Sequence, residues 1–241
     1  MHAGSNGPAT LRLACAAPAD LRNLFDVGES VDCRDGYART TRVELRLRHA
    51  SVWRPATPGP RLPPARIAAH VHDALATLDR RRATQRNVLD NEAVASAAAL
   101  REACRALDCE QAARHAGTLI GWGEGLTPAG DDFLVGLMAG LDALAGDERR
   151  RRLQAALAAA IASAAERTTP IAAHSLRLAA RGHCNETLLC LRDALLCEAD
   201  AVVIGAALHD ALNIGATSGA DTVSGLLAGL LAWLPPSCAA A

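Results

Sequence analysis

Two adjacent carboxylates, Asp131 and Asp132, end a glycine-rich stretch that spans residues 121–130. Four glycines in these ten residues allow positive φ angles and the close approach of another group. Thr127-Pro128 predicts a helix start, with the threonine hydroxyl as N-cap and the proline at the first helical position. Because the first turn of a helix presents unpaired N–H groups, the stretch predicts a site for an anionic or carbonyl group, or for a metal ion between carboxylates and an anion.

A second copy of this pattern lies nearer the C-terminus. The copies align without gaps, and the alignment pairs Gly130 with Gly219, Asp132 with Asp221, Gly136 with Gly225, and Gly140 with Gly229. A glycine inside a helix costs roughly 0.5–1 kcal/mol relative to alanine, so these glycines favour the close approach of two helix backbones. We therefore expect the two helices to pack on each other and to bring both turns to one shared site.

For several residues of these motifs a structural role and a ligand-binding role both stay open. The acids could serve only the helix N-termini, where negative charge is favourable, but that role does not explain the glycines or the second copy. Thr217-Ser218 either cap a helix or bind the ligand, and His174-Ser175 lacks the acidic third member of a triad. The first turn lacks the Gly-Lys-Ser/Thr of a Walker loop.

Composition narrows the classes of protein and of partner. The 241 residues are 50% hydrophobic but only 2% aromatic, and the formal net charge is −1. A nucleic-acid binder has a basic surface and aromatic stacking platforms, so we expect no nucleic-acid partner. The N-terminus lacks the features of a secretory signal, and the longest apolar run is short for a membrane span. We expect a cytoplasmic protein that contacts no membrane.

Eight cysteines are many for that compartment, and none forms a Cys-x-x-Cys pair. We expect buried or half-buried thiols that pack as small hydrophobic groups. Zinc ligation by His183, Cys184 and a distant partner is a weaker alternative.

Periodicity predicts an α+β chain, with a small β-containing N-terminal part followed by a large, mainly helical domain that carries both glycine motifs. A tail at 1–9 and strands at 10–14 and 40–48 precede a proline-rich linker at 54–64, so the predicted domains are 1–64 and 65–241. The predicted helices span 65–82, 91–106, 108–119, 132–145, 149–167, 170–181, 185–198, 201–212 and 221–234.

The two motifs together resemble a known family. The pattern Gly-x-Gly-x-Gly-Leu-Thr-Pro-x-Gly-Asp-Asp-Phe-Leu-x-Gly, followed by Thr-Ser-Gly-x-Asp-Thr-x-x-Gly, is similar to the AllH-type subunit of oxamate carbamoyltransferase. The likeness is strong over 115–235, where the stretch 168–196 also looks like the family, and it is loose over 1–65. Glu124 stands where the family usually has proline, and Ala129 where it has serine, so a ligand-facing hydroxyl at 129 is missing.

The resemblance implies a subunit of a cytoplasmic complex with FdrA-like and AllG-like subunits, active in purine or allantoin catabolism. The implied reaction is phosphorolysis of oxalurate to oxamate and carbamoyl phosphate. Asp131, Asp132 and Asp221 would act in catalysis, accepting from the carbamoyl nitrogen or holding Mg²⁺. The implied ligand-binding residues are Gly123, Gly125, Thr127, Gly130, Thr217, Ser218, Gly219, His174 and Ser175. A non-catalytic scaffold or ligand-binding subunit and a metal-dependent amide hydrolase remain the alternatives.

Overall fold

A computed structural model describes residues 6–8, 10, 24, 26, 28–84, 91–198 and 200–235. The chain divides into two compact units, Met1–Ala56 and Thr57–Ala241, and the division falls inside the proline-rich stretch. The domain limits 1–64 and 65–241 stay a prediction. The predicted tail at 1–9 and the predicted strand at 10–14 lie, apart from residues 6–8 and 10, outside the described residues.

The first unit contains a small antiparallel sheet with the strand order β1-β2-β3. Its strands are β1 (Asp32–Arg34), β2 (Tyr37–Arg39) and β3 (Glu44–Arg46). Asp35 and Gly36 both have positive φ in the turn between β1 and β2, as tight two-residue hairpins require. A small sheet followed by a mainly helical region confirms the predicted α+β class.

The second predicted strand, 40–48, is shorter in the structure. The hydroxyl of Thr40 accepts from the amides of Arg42 and Val43, and the Thr40 amide donates to the Val43 carbonyl. With these bonds the first residues of the predicted strand form a turn. Threonine side chains can compete in this way with the hydrogen bonds between strands. The predicted alternation is present, since Val43, Leu45 and Leu47 are half-buried between exposed neighbours.

The second unit is helical. Its helices are α1 (Pro64–Thr84), α2 (Asn91–Ala106), α3 (Cys109–Leu119), α4 (Ala129–Leu144), α5 (Glu148–Ala164), α6 (Pro170–Ala179), α7 (Glu186–Cys197), α8 (Ala201–Leu212) and α9 (Ser218–Trp233). A short 3-10 turn, Ala165–Arg167, ends the segment that was predicted as one helix over 149–167. No helix in the described ranges is both long and apolar enough to span a membrane.

The thiol prediction is partly wrong. Cys104 and Cys184 are buried as expected, but Cys33, Cys109 and Cys190 are exposed. Cys33 lies in a strand whose residues are all exposed, and Cys190 lies on the outer face of α7, opposite its buried leucines. Desolvation raises the pKa of the Cys104 thiol to about 12, so this thiol stays protonated and packs as an apolar group.

The core forms around α4 and α9, which pack directly on each other as the glycine repeat predicts. A Cβ atom added at Gly136 would lie 1.9 Å from the Thr222 carbonyl oxygen, and one added at Gly225 would lie 1.9 Å from the Phe133 carbonyl oxygen. Farther along, Gly140 and Gly229 contact each other in the same way. The contacts advance together along both chains, so the helices run parallel and both begin at the same end of the bundle.

Arginines cap the opposite end of this helix pair. The guanidinium of Arg150 donates to the carbonyl oxygens of Leu144 in α4 and Trp233 in α9, and it stacks 5.4 Å from the Trp233 ring centroid. Arg105 donates to the carbonyl oxygen of Leu231. Positive side chains are favourable at helix C-termini, where carbonyl groups lack intrahelical partners.

The packing of α4 on α9 makes the central glycines testable. We expect Gly225→Ala to destabilise the chain by about 3 kcal/mol, because its methyl group must displace the α4 backbone. The matched control is Gly205→Ala in α8, where an added Cβ meets no atom of the described residues within 4 Å. That variant should be more stable than the wild type by about 1 kcal/mol, through helix propensity alone. Urea unfolding followed by circular dichroism measures both changes, and equal effects would contradict the packing argument.

Candidate functional site

The two glycine turns meet at the common end of α4 and α9. The hydroxyl oxygens of Thr127, before α4, and Ser218, at the start of α9, are 2.9 Å apart and form a hydrogen bond. These residues are 91 positions apart in the sequence and are both half-buried. The parallel packing of the two helices therefore brings candidate residues from both copies of the motif into one place.

Thr127 is not the N-cap that the sequence predicts. Helix α4 begins at Ala129, and the cap position belongs to Pro128, whose extended ψ of 144° keeps it outside the helix. The amides of Asp131 and Asp132 donate to the Pro128 carbonyl oxygen. The Thr127 hydroxyl is thereby left for Ser218. At the second turn Thr217 occupies the cap position of α9 without a side-chain cap bond, so capping does not account for its hydroxyl.

Asp131 is buried, and protein donors occupy both of its oxygens. Oδ1 accepts from the Gly121 amide at 3.0 Å, and Oδ2 accepts from the Thr168 hydroxyl. Burial raises its pKa, whereas the bonds from Thr168 and Gly121 lower it. These contacts tie the glycine turn to the segment before α6. Asp131 therefore has a structural role. Its predicted catalytic role stays a prediction.

Asp132 has a different environment, although it is the next residue. Its Oδ2 atom is buried and has no hydrogen-bond partner in the described part of the chain. Burial raises its pKa to about 7, the hydroxyls of Ser218 and Thr127 oppose the rise, and the charges of Asp221 and Asp131 add to it. Asp132 is therefore a carboxyl group that gains or loses a proton near neutral pH, beside the two hydroxyls that join the turns.

Asp221, the counterpart of Asp132 in the second copy, is also buried. Its Oδ1 atom lies 3.4 Å from a guanidinium nitrogen of Arg82, a residue of α1. Burial raises the pKa of Asp221, and the charge and hydrogen bond of Arg82 lower it. No sequence motif marks Arg82 as part of the site, because the only signal would be its position at the end of a predicted helix.

The glycines of the two turns divide into exposed and buried members. Gly123 and Gly125 are exposed, and their amides make no hydrogen bond within the described residues. Gly130 and Gly219 are buried at the starts of their helices, where a Cβ would lie 2.0 Å from the Leu119 carbonyl oxygen and 2.3 Å from the Ala211 carbonyl oxygen. Two exposed amides are thus available to a ligand. The buried glycines let the start of α4 pack against the end of α3, and the start of α9 against the end of α8.

The remaining predicted ligand residues lie on α6. His174 is exposed, and the Ser175 hydroxyl donates to the Ile171 carbonyl oxygen of the same helix. Neither side chain hydrogen-bonds to the two turns among the described residues. The preceding Thr169 caps α6, since its hydroxyl accepts from the Ala172 amide and donates to the Leu126 carbonyl oxygen of the first turn.

The acids do not make a metal-binding cluster by themselves. Within the described ranges no group of three or more histidine, cysteine, aspartate or glutamate side chains could hold a metal ion. Asp131 already uses both oxygens for protein donors. The contacts at this end of the bundle therefore suit a ligand with hydrogen-bonding groups better than an ion held between Asp131 and Asp132.

The protonation of Asp132 predicts a pH dependence of stability. Its pKa is about 7 in the folded chain and near 3.8 when exposed, so between pH 4 and 7 the folded state keeps a proton that the unfolded state has lost. The free energy of unfolding should fall as pH rises through this window, by up to roughly 4 kcal/mol from this group, and level off above it.

Asp132→Asn removes this ionisation while keeping the shape of the side chain. We expect the stability of the wild type to fall relative to that of the variant as pH rises from 4 to 7, measured by urea unfolding at each pH. Asp131 and Asp221 titrate in both proteins, so the difference isolates Asp132. Two parallel curves would show that Asp132 does not titrate in this window.

One comparison with known protein families finds a match, and it lies in the helical unit. Residues 119–230 match the model of a family described as oxamate carbamoyltransferase subunit AllH. No curated protein and no solved structure matches the chain. The matched segment runs from the end of α3 into α9 and includes both glycine turns and all three candidate acids. The helical region, through residues 119–230, is thus similar to the AllH-type subunit family.

Proposed function

We propose that this chain is a subunit of a cytoplasmic oxamate carbamoyltransferase and that the paired glycine turns form its substrate site. The observation that carries the proposal is the hydroxyl contact between Thr127 and Ser218, which joins the two family motifs beside Asp132. The reaction is phosphorolysis of oxalurate to oxamate and carbamoyl phosphate, a step in purine or allantoin catabolism. FdrA-like and AllG-like subunits complete the enzyme.

The groups at the site fit the substrates of this reaction. Oxalurate has a carboxylate, carbonyl oxygens and ureido N–H groups, and phosphate adds further acceptor oxygens. The free amides of Gly123 and Gly125 and the hydroxyls of Thr127 and Ser218 can donate to the acceptors. The buried Oδ2 of Asp132 can accept from a ureido N–H. The site therefore offers partners to both ends of such a molecule.

The chemistry needs orientation more than a protein nucleophile. A phosphate oxygen forms a bond to the ureido carbonyl carbon, the bond from that carbon to the oxamate nitrogen breaks, and the nitrogen takes the proton that phosphate brought. Holding the two reactants together and stabilising the developing oxyanion lower the barrier of such a transfer. Turn amides and hydroxyls supply the donors, and Asp132 fixes the carbamoyl group through its N–H.

A scaffold role is the second candidate, and one observation favours it. Leu126, at the tip of the first turn, is 69% exposed, although leucine usually packs inside. In a scaffold subunit the turn would contact a partner protein through Leu126, and no substrate would reach Asp132. If this chain binds the substrate, turnover depends on Asp132. If it is a scaffold, turnover depends on Leu126.

The test is turnover by the reconstituted complex. The chain is combined with FdrA-like and AllG-like subunits, and carbamoyl phosphate formed from oxalurate and phosphate is measured. We expect turnover only from the complex, and we expect Asp132→Asn to lower it on the order of a hundred-fold or more through loss of a transition-state contact.

Asp142→Asn is the matched control for this experiment. Asp142 lies on the same helix, is exposed and bonds to Gln154, so its variant should leave turnover unchanged. Two results together would favour the scaffold role. Asp132→Asn would have normal turnover, and Leu126→Ser would lose turnover because the complex no longer assembles. Size-exclusion chromatography of each complex separates lost assembly from lost chemistry.

A further inference from the structure

We propose that Arg82 binds an oxyanion of the ligand, a carboxylate or a phosphate group, at the site formed by the two glycine turns. The inference rests on the proposed function of that site and adds a residue that neither motif contains. Arg82 lies on α1, outside the segment 119–230 that matches the family model. It reaches the site through its contact with Asp221.

Charge balance is the first argument. Asp131, Asp132 and Asp221 lie close enough for Asp132 to be affected by the charges of the other two. An anionic ligand would be repelled by these carboxylates unless a cation faced it. In the described part of the chain, the only ion pair that any of the three acids forms is the one between Asp221 and Arg82.

The geometry of that ion pair is the second argument. A charge-assisted bond between nitrogen and oxygen is typically about 2.7–2.9 Å long, and arginine often grips a carboxylate through two such bonds. Arg82 makes a single contact with Asp221, and its length is 3.4 Å. A guanidinium group has five N–H donors, and within the described ranges most of those on Arg82 have no protein acceptor. Its side chain is 26% exposed, so a ligand can reach it from solvent.

A small cavity provides the third argument. Arg82 and Asp221 line it together with Trp122, Gly130 and Phe133, and its volume is about 20 Å³. A space of this size accepts one water-sized group, such as a single oxygen of a carboxylate or phosphate. Because Gly130 is in the first turn of α4, an oxyanion placed there would lie beside the positive end of that helix.

Asp221 is then a positioning residue. Its carboxylate is buried and makes one contact with the guanidinium of Arg82, which holds that group beside the cavity that both residues line. The two equivalent aspartates of the repeat thus have different partners, hydroxyls for Asp132 and a guanidinium for Asp221.

The test is anion binding by the full chain, measured by isothermal titration calorimetry with inorganic phosphate and with oxamate as separate probes. We expect Arg82→Gln to weaken one of the two at least ten-fold. If Arg82→Gln loses oxamate binding, Arg82 binds the ligand's carboxylate. If it loses phosphate binding, Arg82 binds the phosphate group. Arg82→Lys keeps the charge but loses the planar fork, so it should bind with intermediate affinity.

Arg80→Gln is the matched control, because Arg80 is an exposed arginine on the same helix whose guanidinium donates to the Thr77 hydroxyl. It should bind both anions like the wild type. Thermal melts check that Arg82→Gln is folded. If Arg82→Gln does not fold, the binding comparison is made between Arg82→Lys and the wild type. Equal binding of both anions by wild type and Arg82 variants, or no binding of either anion by the wild type, would overturn the proposal.

Turnover by the complex separates this inference from the proposed function. If both hold, Arg82→Gln raises KM for the affected substrate at least ten-fold. If the chain needs Arg82 to bind an anion but the wild-type complex forms no carbamoyl phosphate, the proposed function fails and the anion site stands. An active complex whose KM values are unchanged by Arg82→Gln would refute the role of Arg82 alone.

Discussion

The backbone contact between α4 and α9 is the constraint on which the rest of the helical unit depends. Glycines at equivalent positions of the two helices place each backbone against the carbonyl oxygens of the other, so neither helix can tilt or slide without a clash. Most residues of α4 and α9 are buried as a result, and the surrounding helices cover this central pair. The position of every candidate side chain at the turns follows from this one contact.

The repeat supplies a nearly symmetric frame, but its two halves carry different chemistry. Thr127 and Ser218, which bond to each other, align with Ala216 and Ala129 in the opposite copy. Asp131 aligns with Ala220, so only the first turn is tied to the segment before α6. Each half therefore contributes groups that the other lacks, and the contacts of the site come from their combination.

Much of the helical unit could be predicted from the sequence, because local signals set it. The bounds of α2 and α8 match the predicted ranges, and the repeat alone indicated that Gly136, Gly140, Gly225 and Gly229 let two helices meet. The prediction was wrong where side chains found distant partners. Thr127 bonds to Ser218 instead of capping its own helix, because the turn before α9 lies beside it.

Other features of the site depend on tertiary placement and have no local signal. Arg82 becomes a partner of Asp221 only because α1 packs on α9. The contrast between Asp131 and Asp132 arises because one side chain points toward Thr168 and the other toward Ser218. Adjacent acids in a sequence cannot reveal such a difference. The family match covers residues 119–230 and includes neither α1 nor Arg82.

The parallel direction of α4 and α9 has an electrostatic consequence. In an antiparallel pair the peptide dipoles cancel, whereas here they add, and each helix contributes roughly half a positive charge at its N-terminus. At the far end, the arginine caps offset the matching negative charge. The resulting potential at the turns comes from the peptide backbone, which does not titrate. It persists at every pH at which the chain stays folded, whatever the protonation of the acids nearby.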